Sequence, residues 1–183
     1  MNTGWLAAAL SLGTFAAIHA LAAGPVVSAA LPETKWEELV PKDWDPTQRF
    51  RSGNLGALSD TDPKVLQMMR EMRETWDNAP TNGKLDGTTV RLPGYVVPLD
   101  EVNGQIKEFL LVPYFGACIH TPPPPANQIV HVLADKPLKG IRTMDAVWVT
   151  GTLKTTRLDT ALGTSGYRIQ TGAIERYVEP AKR

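Results

Sequence analysis

The second half of the chain alternates short β-rich runs with turn residues. Five runs have the composition of strands and are separated by Gly, Pro and Asn; they span residues 88–99, 106–115, 128–134, 146–158 and 166–178. Asn103-Gly104 between the first two runs predicts a hairpin turn. Gly94 and Gly151 lie inside runs, where glycine permits the sharp bends of a sheet that curls on itself.

The stretch before these runs carries helical periodicity instead. Thr34 and Glu37 have the spacing of a capping box and predict a short helix. Thr61 or Asp62 can cap a second, longer helix, with Pro63 in its first turn. Four apolar residues recur along this longer helix at helical spacing and are expected to pack in the core: Val65, Met69, Met72 and Trp76.

These patterns predict a mainly β domain with a helical segment before it. Residues 88–183 are expected to form a small five-stranded OB-like barrel, because short antiparallel strands with sharp bends suit a closing sheet. Residues 31–87 form an N-terminal helical extension that is expected to pack on the barrel. A sandwich-like sheet packed by the longer helix is the alternative fold. The roughly 150 residues involved are enough for one core of ordinary size.

The first 30 residues have the composition of a targeting segment. From Trp5 to Ala30 there is no Asp, Glu, Lys or Arg, and small residues suit several cleavage sites. We therefore predict a signal peptide over residues 1–30, cleaved so that the mature chain begins between Ala23 and Leu31, and a periplasmic location. An uncleaved membrane anchor is the alternative, because the tract exceeds the roughly 20 residues that span a bilayer.

The charge balance and the single cysteine exclude some classes of partner and an intramolecular disulfide. The chain has 19 basic and 19 acidic residues and no run rich in Lys or Arg. Proteins that bind phosphate backbones carry such runs, so we expect no nucleic acid partner and no membrane contact beyond the N-terminal segment. The single cysteine, Cys118, cannot form an intramolecular disulfide, so an exported protein is left with a thiol that needs its own explanation.

The candidate site surrounds that thiol. Cys118 and His120 are two residues apart, so both side chains share one face if the backbone is extended there, and His131 follows on the next strand. The proline run between the histidines favours a stiff path. Thiolate and imidazole are ligands of zinc and copper, so the three residues are predicted to bind one soft metal ion with an open fourth position. Three neighbours are candidates for supporting hydrogen bonds: Tyr114, Asn127 and Gln128.

Each of these residues also has a plain structural explanation. A lone buried cysteine commonly packs as a small hydrophobe, and a histidine on a strand often only completes hydrogen bonds. An enzyme that used the open metal position would need a general base, and no Asp or Glu accompanies the motif in sequence. The sequence also lacks the motifs of serine hydrolases, zinc proteases and nucleotide-binding loops. A metal-dependent hydrolase is therefore the least favoured class.

Three stretches resemble a known family: GYVVPLD, EFLLVPYFGACIHTPPPPANQIVHV and VWVTGTL. They are similar to the uncharacterised bacterial exported family called domain of unknown function 3299, whose hallmark is a strand ending in Cys-Ile-His followed by prolines and an Asn-Gln pair. The resemblance covers roughly residues 87–177. Members have a signal peptide and tend to be encoded near ABC-transporter components linked to zinc supply. The resemblance implies a periplasmic accessory role in metal handling, and it brings no established activity, substrate or cofactor.

The function that follows is that of an exported accessory protein. It is predicted to bind zinc or copper and to serve an ABC-type transporter system. The alternative is a periplasmic interaction or scaffold protein in which the loop with Cys, His and Pro is structural. In either case the expected partner is a transporter component or another periplasmic protein.

Overall fold

β-strands are the main secondary structure of the described chain, as the alternating pattern predicts. The structure is a computed structural model that describes residues 1, 31–48, 59, 61–120 and 122–178. The predicted signal segment lies outside these residues, apart from Met1. Within the described ranges, no helix has both the length and the apolar character needed to cross a bilayer.

Six strands, one α-helix and three short 3-10 turns make up the described elements. The strands are β1 (Thr89–Val102), β2 (Gln105–Val112), β3 (Val130–Leu138), β4 (Ala146–Thr160), β5 (Gly163–Thr171) and β6 (Ala173–Arg176). The helical elements are α1 (Pro63–Asp77) and the 3-10 turns Trp36–Leu39, Gly83–Leu85 and Ala126–Gln128. Two of the 3-10 turns and α1 therefore precede the sheet in the chain.

Five of the strands close into a barrel. Hydrogen bonds join them in the order β1-β2-β3-β5-β4, and β4 pairs back onto β1. All of these pairs are antiparallel except β3 and β5, which run parallel. The predicted mainly β, OB-like barrel preceded by helical elements is confirmed, because the sheet has no free edge among these five strands. The closed sheet also rules out the sandwich-like alternative.

Two glycines allow the strands of the barrel to approach closely. A Cβ on Gly94 in β1 would lie 2.8 Å from the Val112 carbonyl oxygen of β2. A Cβ on Gly151 in β4 would lie 2.7 Å from Ile169 Cγ2 of β5. Carbon atoms do not approach other atoms this closely without a shift of the neighbour, so both predicted bend positions require glycine.

The fifth predicted run is observed as two strands along β4. Leu153 of β4 faces Ile169 of β5, whereas Thr150 of β4 faces Ala173 of β6. Over this interval the β5–β6 segment therefore contains one residue more than β4. The extra residue interrupts the ladder in the manner of a β-bulge, and this interruption divides the run.

Two apolar clusters lie on opposite faces of the barrel wall. Alternate residues of β2 separate them, since Phe109 belongs to one cluster and Leu110 to the other. The inner cluster draws residues from all five barrel strands and includes Leu39 of the first 3-10 turn. The outer cluster includes Ala117, with Cys118 packed against it. The segment with the lone cysteine is therefore held on the outside of the barrel wall.

The short N-terminal helix differs from its prediction in register and in type. Trp36–Leu39 is a 3-10 turn, and the Lys35 N–H donates to the Glu38 carboxylate at 2.9 Å. The Thr34 N–H donates instead to the Arg91 carbonyl at 2.8 Å. The predicted capping box that begins at Thr34 is therefore wrong, because the backbone of Thr34 is hydrogen bonded to β1.

The longer helix, α1, begins as predicted. Asp62 Oδ1 accepts a first-turn backbone N–H at 2.8 Å, and Pro63 is the first helical residue. Three of the four apolar residues predicted to pack in the core are buried or half-buried: Val65, Met72 and Trp76. The fourth expectation is wrong, because Met69 is 52% exposed.

Candidate functional site

A row of three polar side chains crosses β2, β3 and β5 on the outer face of the barrel. His131 of β3 faces Leu110 of β2 on one side and Arg168 of β5 on the other. Glu108 is two residues before Leu110 on β2 and so shares its face. We call Glu108, His131 and Arg168 the charged row. Because the three residues come from three strands, the register of the barrel brings them together.

Both ring nitrogens of His131 are hydrogen bonded, and the residue is only 2% exposed. Arg168 Nε donates to His131 Nδ1 at 3.2 Å, and His131 Nε2 lies 2.6 Å from Glu108 Oε1. Since arginine has only donors, Nδ1 must accept, and Nε2 must carry the hydrogen that Glu108 accepts. The geometry therefore selects the neutral imidazole with its proton on Nε2.

Burial decides the charge of His131. Loss of contact with water lowers the pKa of His131, and this effect outweighs the hydrogen bond and the charge of Glu108, which raise it. The Arg168 guanidinium lowers the pKa further. The imidazole is therefore neutral at pH 7, in agreement with the acceptor role of Nδ1.

A tight turn holds Cys118. Gly116 has φ +85° and Cys118 has φ +65°, which places both in the left-handed region. The His120 N–H donates to the Gly116 carbonyl at 2.9 Å, and the Gly116 N–H donates to the Met144 sulfur at 3.2 Å. The predicted shared face of Cys118 and His120 depends on an extended backbone. The chain forms a turn there instead.

The Cys118 thiol is protonated at neutral pH. Its side chain is half-buried against the outer cluster. Burial raises the pKa of the thiol to about 11, although the positive charge of Arg73 on α1 lowers it in part. The thiolate is the form that attacks electrophiles or binds metals, and very little of it exists at this pKa. These surroundings are typical of a structural cysteine.

The three predicted metal ligands lie in different environments. Cys118 packs against the outer cluster, His120 is exposed, and His131 belongs to the charged row. Among the residues that the structure describes, no group of three or more His, Cys, Asp or Glu side chains could hold a metal ion. A bound ion would require His131 to give up a hydrogen bond and Cys118 to lose its proton. As placed, the residues do not fit zinc or copper, and the metal site stays a prediction.

The residues predicted to support the metal ligands have contacts of their own. Tyr114 is exposed to solvent. Asn127 is buried, and its side-chain amide donates to the Pro80 carbonyl at 2.9 Å. The Gln128 N–H donates to the Pro125 carbonyl at 2.8 Å within a 3-10 turn. Asn127 and Gln128 therefore organise the approach to β3 and connect it to the segment after α1.

Sequence reasoning missed two members of the charged row. Glu108 stands within the run IKEFLLV, and Arg168 within GYRIQ. A charged residue at an alternate position of a strand is commonly solvent-exposed, so the pattern gives no sign of a partner. The alternation of apolar and polar residues predicts which face of its strand Glu108 and Arg168 occupy. The order of the strands in the sheet is needed to show that both residues lie next to His131.

The turn around Cys118 also carries exposed apolar side chains. Phe115 is 65% exposed, Tyr114 44% and Ile119 41%. The Phe115 ring meets the Tyr95 ring of β1 edge to face, with centroids 5.8 Å apart. Large apolar side chains gathered on the surface of one short segment are typical of contact sites. We call residues 113–120 the presenting loop.

A family model described as Protein of unknown function (DUF3299) matches residues 36–176. The chain belongs to the DUF3299 family. The solved structure of a DUF3299 family protein from Pseudomonas aeruginosa PAO1 is 35% identical to this chain, with a TM-score of 0.64. The alignment covers 82% of this chain and 98% of that chain. No match was found among curated proteins. The family predicted from three stretches is confirmed, and the match extends over α1 as well as the barrel.

Proposed function

We propose that this DUF3299 protein is an exported, non-catalytic accessory protein that recognises another protein through the presenting loop. The observation that carries the proposal is the 65% exposure of Phe115 on a turn whose other side is buried. Leaving an aromatic ring in water forgoes the free energy that its burial would contribute. An exposed ring in a fixed position is therefore best explained by a partner that covers it.

The buried side of the presenting loop is fixed by contacts with the barrel wall. Ala117 is fully buried in the outer cluster, and the Gly116 N–H is bonded to the Met144 sulfur. The edge-to-face contact with Tyr95 fixes the Phe115 ring from the side. A loop that is already ordered loses little conformational entropy on binding, which favours recognition.

The chemistry of the loop defines the partner. Residues 114–119 contain no Asp, Glu, Lys or Arg, so charge pairing does not drive the contact. Aromatic residues are the usual anchors of protein interfaces and insert into apolar pockets. The partner is thus a protein with an apolar pocket. The predicted export supports a periplasmic partner, and the family resemblance supports a component of an ABC-type transporter.

The state of the polar residues supports a binding role over an enzyme. Cys118 is protonated at neutral pH, so it is a poor nucleophile. Both nitrogens of His131 are engaged with the charged row, so neither is free to move a proton to or from a substrate. These residues stabilise the wall and the turn that carry the presenting loop.

Site-specific photo-crosslinking tests this function. A photoreactive amino acid at position 115 in cells that make the full chain should give one discrete product, and its partner can be identified by mass spectrometry. The same amino acid at position 139, an exposed site between β3 and β4, is the control and should give no such product. Ile119→Asp should abolish the product from position 115. A product that forms equally at both positions, or no product at all, contradicts the proposal.

A further inference from the structure

An open cleft lined by aromatic rings lies beside the bend of β1. Its volume is about 510 Å³, and it is bordered by the bend at Gly94 and the start of β4 at Ala146. Six further residues give the cleft its chemical character: Glu33, Trp36, Pro93, Tyr95, Pro113 and Tyr177. We call it the aromatic cleft. Its walls contain three aromatic side chains and two prolines, with one acidic residue.

Each aromatic ring of the cleft is fixed by a neighbour. The Trp36 indole N–H donates to the Pro93 carbonyl at 2.7 Å, and its ring packs against the inner cluster. The Tyr95 ring is held by the edge-to-face contact with Phe115. A wall whose rings are already in place binds a ligand without ordering its side chains first.

The third ring, Tyr177, belongs to a stack on the barrel surface. Its centroid lies 5.3 Å from that of Trp148, and the Arg91 guanidinium lies 3.7 Å from the centre of the Trp148 ring. The Tyr177 N–H donates to the Ala146 carbonyl at 2.9 Å, which anchors the backbone beside the cleft. Because Trp148 and the backbone both hold it, Tyr177 forms a stable wall of the cleft.

The electrostatics of the aromatic cleft favour a positive ligand. Aromatic faces carry a negative partial charge that attracts cations. Among the lining residues that the structure describes, Glu33 is the one with a formal charge, and that charge is negative. Arg91 is not a lining residue, and its guanidinium lies over the Trp148 ring. The cleft therefore offers an acidic and aromatic environment to whatever enters it.

We propose that the aromatic cleft binds a quaternary ammonium group, such as the head of choline. Such a group carries a positive charge spread over methyl groups, is weakly hydrated and needs no hydrogen-bond acceptors. It matches three rings, two prolines and one carboxylate, which is the type of surface that recognises quaternary ammonium ligands in proteins. A primary ammonium group fits less well, because it is strongly hydrated and requires several acceptors.

Two other ligands stack on aromatic rings and are outcomes of the test. A proline-rich peptide docks in aromatic grooves, and a sugar ring packs on aromatic faces while its hydroxyls can donate to a carboxylate, but neither ligand carries a positive charge that Glu33 would attract. The charge is thus the observation that separates the proposal from them. Ligand binding here goes beyond protein recognition by the presenting loop, with which the cleft shares Pro113 and the contact between Tyr95 and Phe115.

A matched pair of ligands tests the charge directly. Choline and its neutral carbon isostere, 3,3-dimethylbutan-1-ol, have nearly the same shape. Titration of the full chain, followed by calorimetry and by the indole N–H signals in NMR, should show saturable binding of choline. The neutral isostere should bind at least several-fold more weakly, as expected for a loss of cation–π attraction. Equal binding of the two ligands, or no saturable binding of choline, overturns the proposal.

Variants of the walls locate the site. Tyr177→Ala should weaken choline binding on the order of 3- to 30-fold, and Glu33→Gln should weaken it by a smaller factor. Met69→Ala removes an exposed apolar side chain of α1 that does not line the cleft and should leave the affinity unchanged. Circular dichroism confirms that each variant is folded. If Tyr177→Ala and Glu33→Gln bind as the parent does, or if a proline-rich peptide binds and choline does not displace it, the assignment is wrong.

Vesicles identify the source of the ammonium group. Binding to phosphatidylcholine vesicles that choline competes away, with no binding to phosphatidylglycerol vesicles, indicates a lipid headgroup. Binding of choline without binding to either vesicle indicates a free ligand. Both results support recognition of a quaternary ammonium. Vesicle binding that choline does not affect contradicts it.

Discussion

His131 on β3 and Glu108 on β2 are joined by a hydrogen bond of 2.6 Å on the outer wall of the barrel. The imidazole is buried and neutral, and its second nitrogen accepts from Arg168 of β5. The bond thus links two strands directly and a third through the same ring. In this arrangement His131, which the sequence predicts to be a metal ligand, connects three strands.

Removal of this imidazole should destabilise the barrel. For His131→Ala we expect the free energy of unfolding to fall by about 2–4 kcal/mol, because a cavity forms and the polar neighbours lose their partner. Denaturant unfolding followed by circular dichroism measures the change. His120→Ala removes an exposed histidine and is the control, expected within about 0.5 kcal/mol of the parent. If both variants lose the same free energy of unfolding, the hydrogen bonds of the charged row do not stabilise the barrel.

The charged row should also make stability depend on pH. Burial lowers the pKa of His131, so the unfolded chain, whose histidine titrates near 6.5, takes up the proton first as pH falls. This contribution to stability is therefore full above about pH 6.5 and decreases as pH falls below it. The parent should lose more stability between about pH 6.5 and pH 5 than His131→Gln does. A parent that becomes more stable over this interval contradicts the assignment of a neutral imidazole.

The Cys118 thiol should react slowly. Its pKa of about 11 leaves far less thiolate at pH 8 than an ordinary thiol has, by roughly a hundredfold. Alkylation of the native protein should be slow at pH 8 and accelerate as pH rises towards 11, whereas the protein unfolded in urea should react at the rate of a free thiol. Native labelling as fast as unfolded labelling would mean that the thiol is not buried as described.

The metal content of the purified protein distinguishes the proposed protein-recognition function from the predicted binding of zinc or copper. The untagged protein is expected to contain no stoichiometric zinc or copper, because Cys118 is protonated and His131 is fully hydrogen bonded. Elemental analysis and calorimetric titration with Zn²⁺ and Cu⁺ measure this. Cys118→Ser, His120→Ala and His131→Ala are the diagnostic variants. Tight binding that all three variants weaken would restore the soft-metal site and overturn the expectation.

Glycine at the bend of β1 should be essential for stability. Gly94→Ala places a Cβ 2.8 Å from the Val112 carbonyl oxygen, so the strands must move apart. We expect a loss of about 1–3 kcal/mol, typical of overpacking. Gly83→Ala is a matched control, since a Cβ there meets nothing within 4 Å. Thermal unfolding of both variants measures the effect, and a Gly94→Ala protein as stable as Gly83→Ala would refute the close approach of β1 and β2.

The barrel and the longer helix were predictable because their signals are local. Alternation of apolar residues, the Asn103-Gly104 turn and glycine inside strands depend on neighbours in sequence, and the same holds for Asp62 and Pro63 at the start of α1. A prediction from local sequence was less accurate where the residue also forms a hydrogen bond with a residue far away in the chain. Thr34 pairs with Arg91 of β1, and this pairing displaces the predicted cap.

The sequence by itself determined the strands, the helix, the family and the concentration of Cys118, His120 and His131 in one stretch. Their spacing along the chain says nothing of the angle at which each side chain leaves the backbone. The turn at Gly116 and Cys118, with positive φ at both, decided that angle. The register of β2, β3 and β5 decided that His131 meets Glu108 and Arg168, since residues far apart in sequence become neighbours only when the sheet has closed.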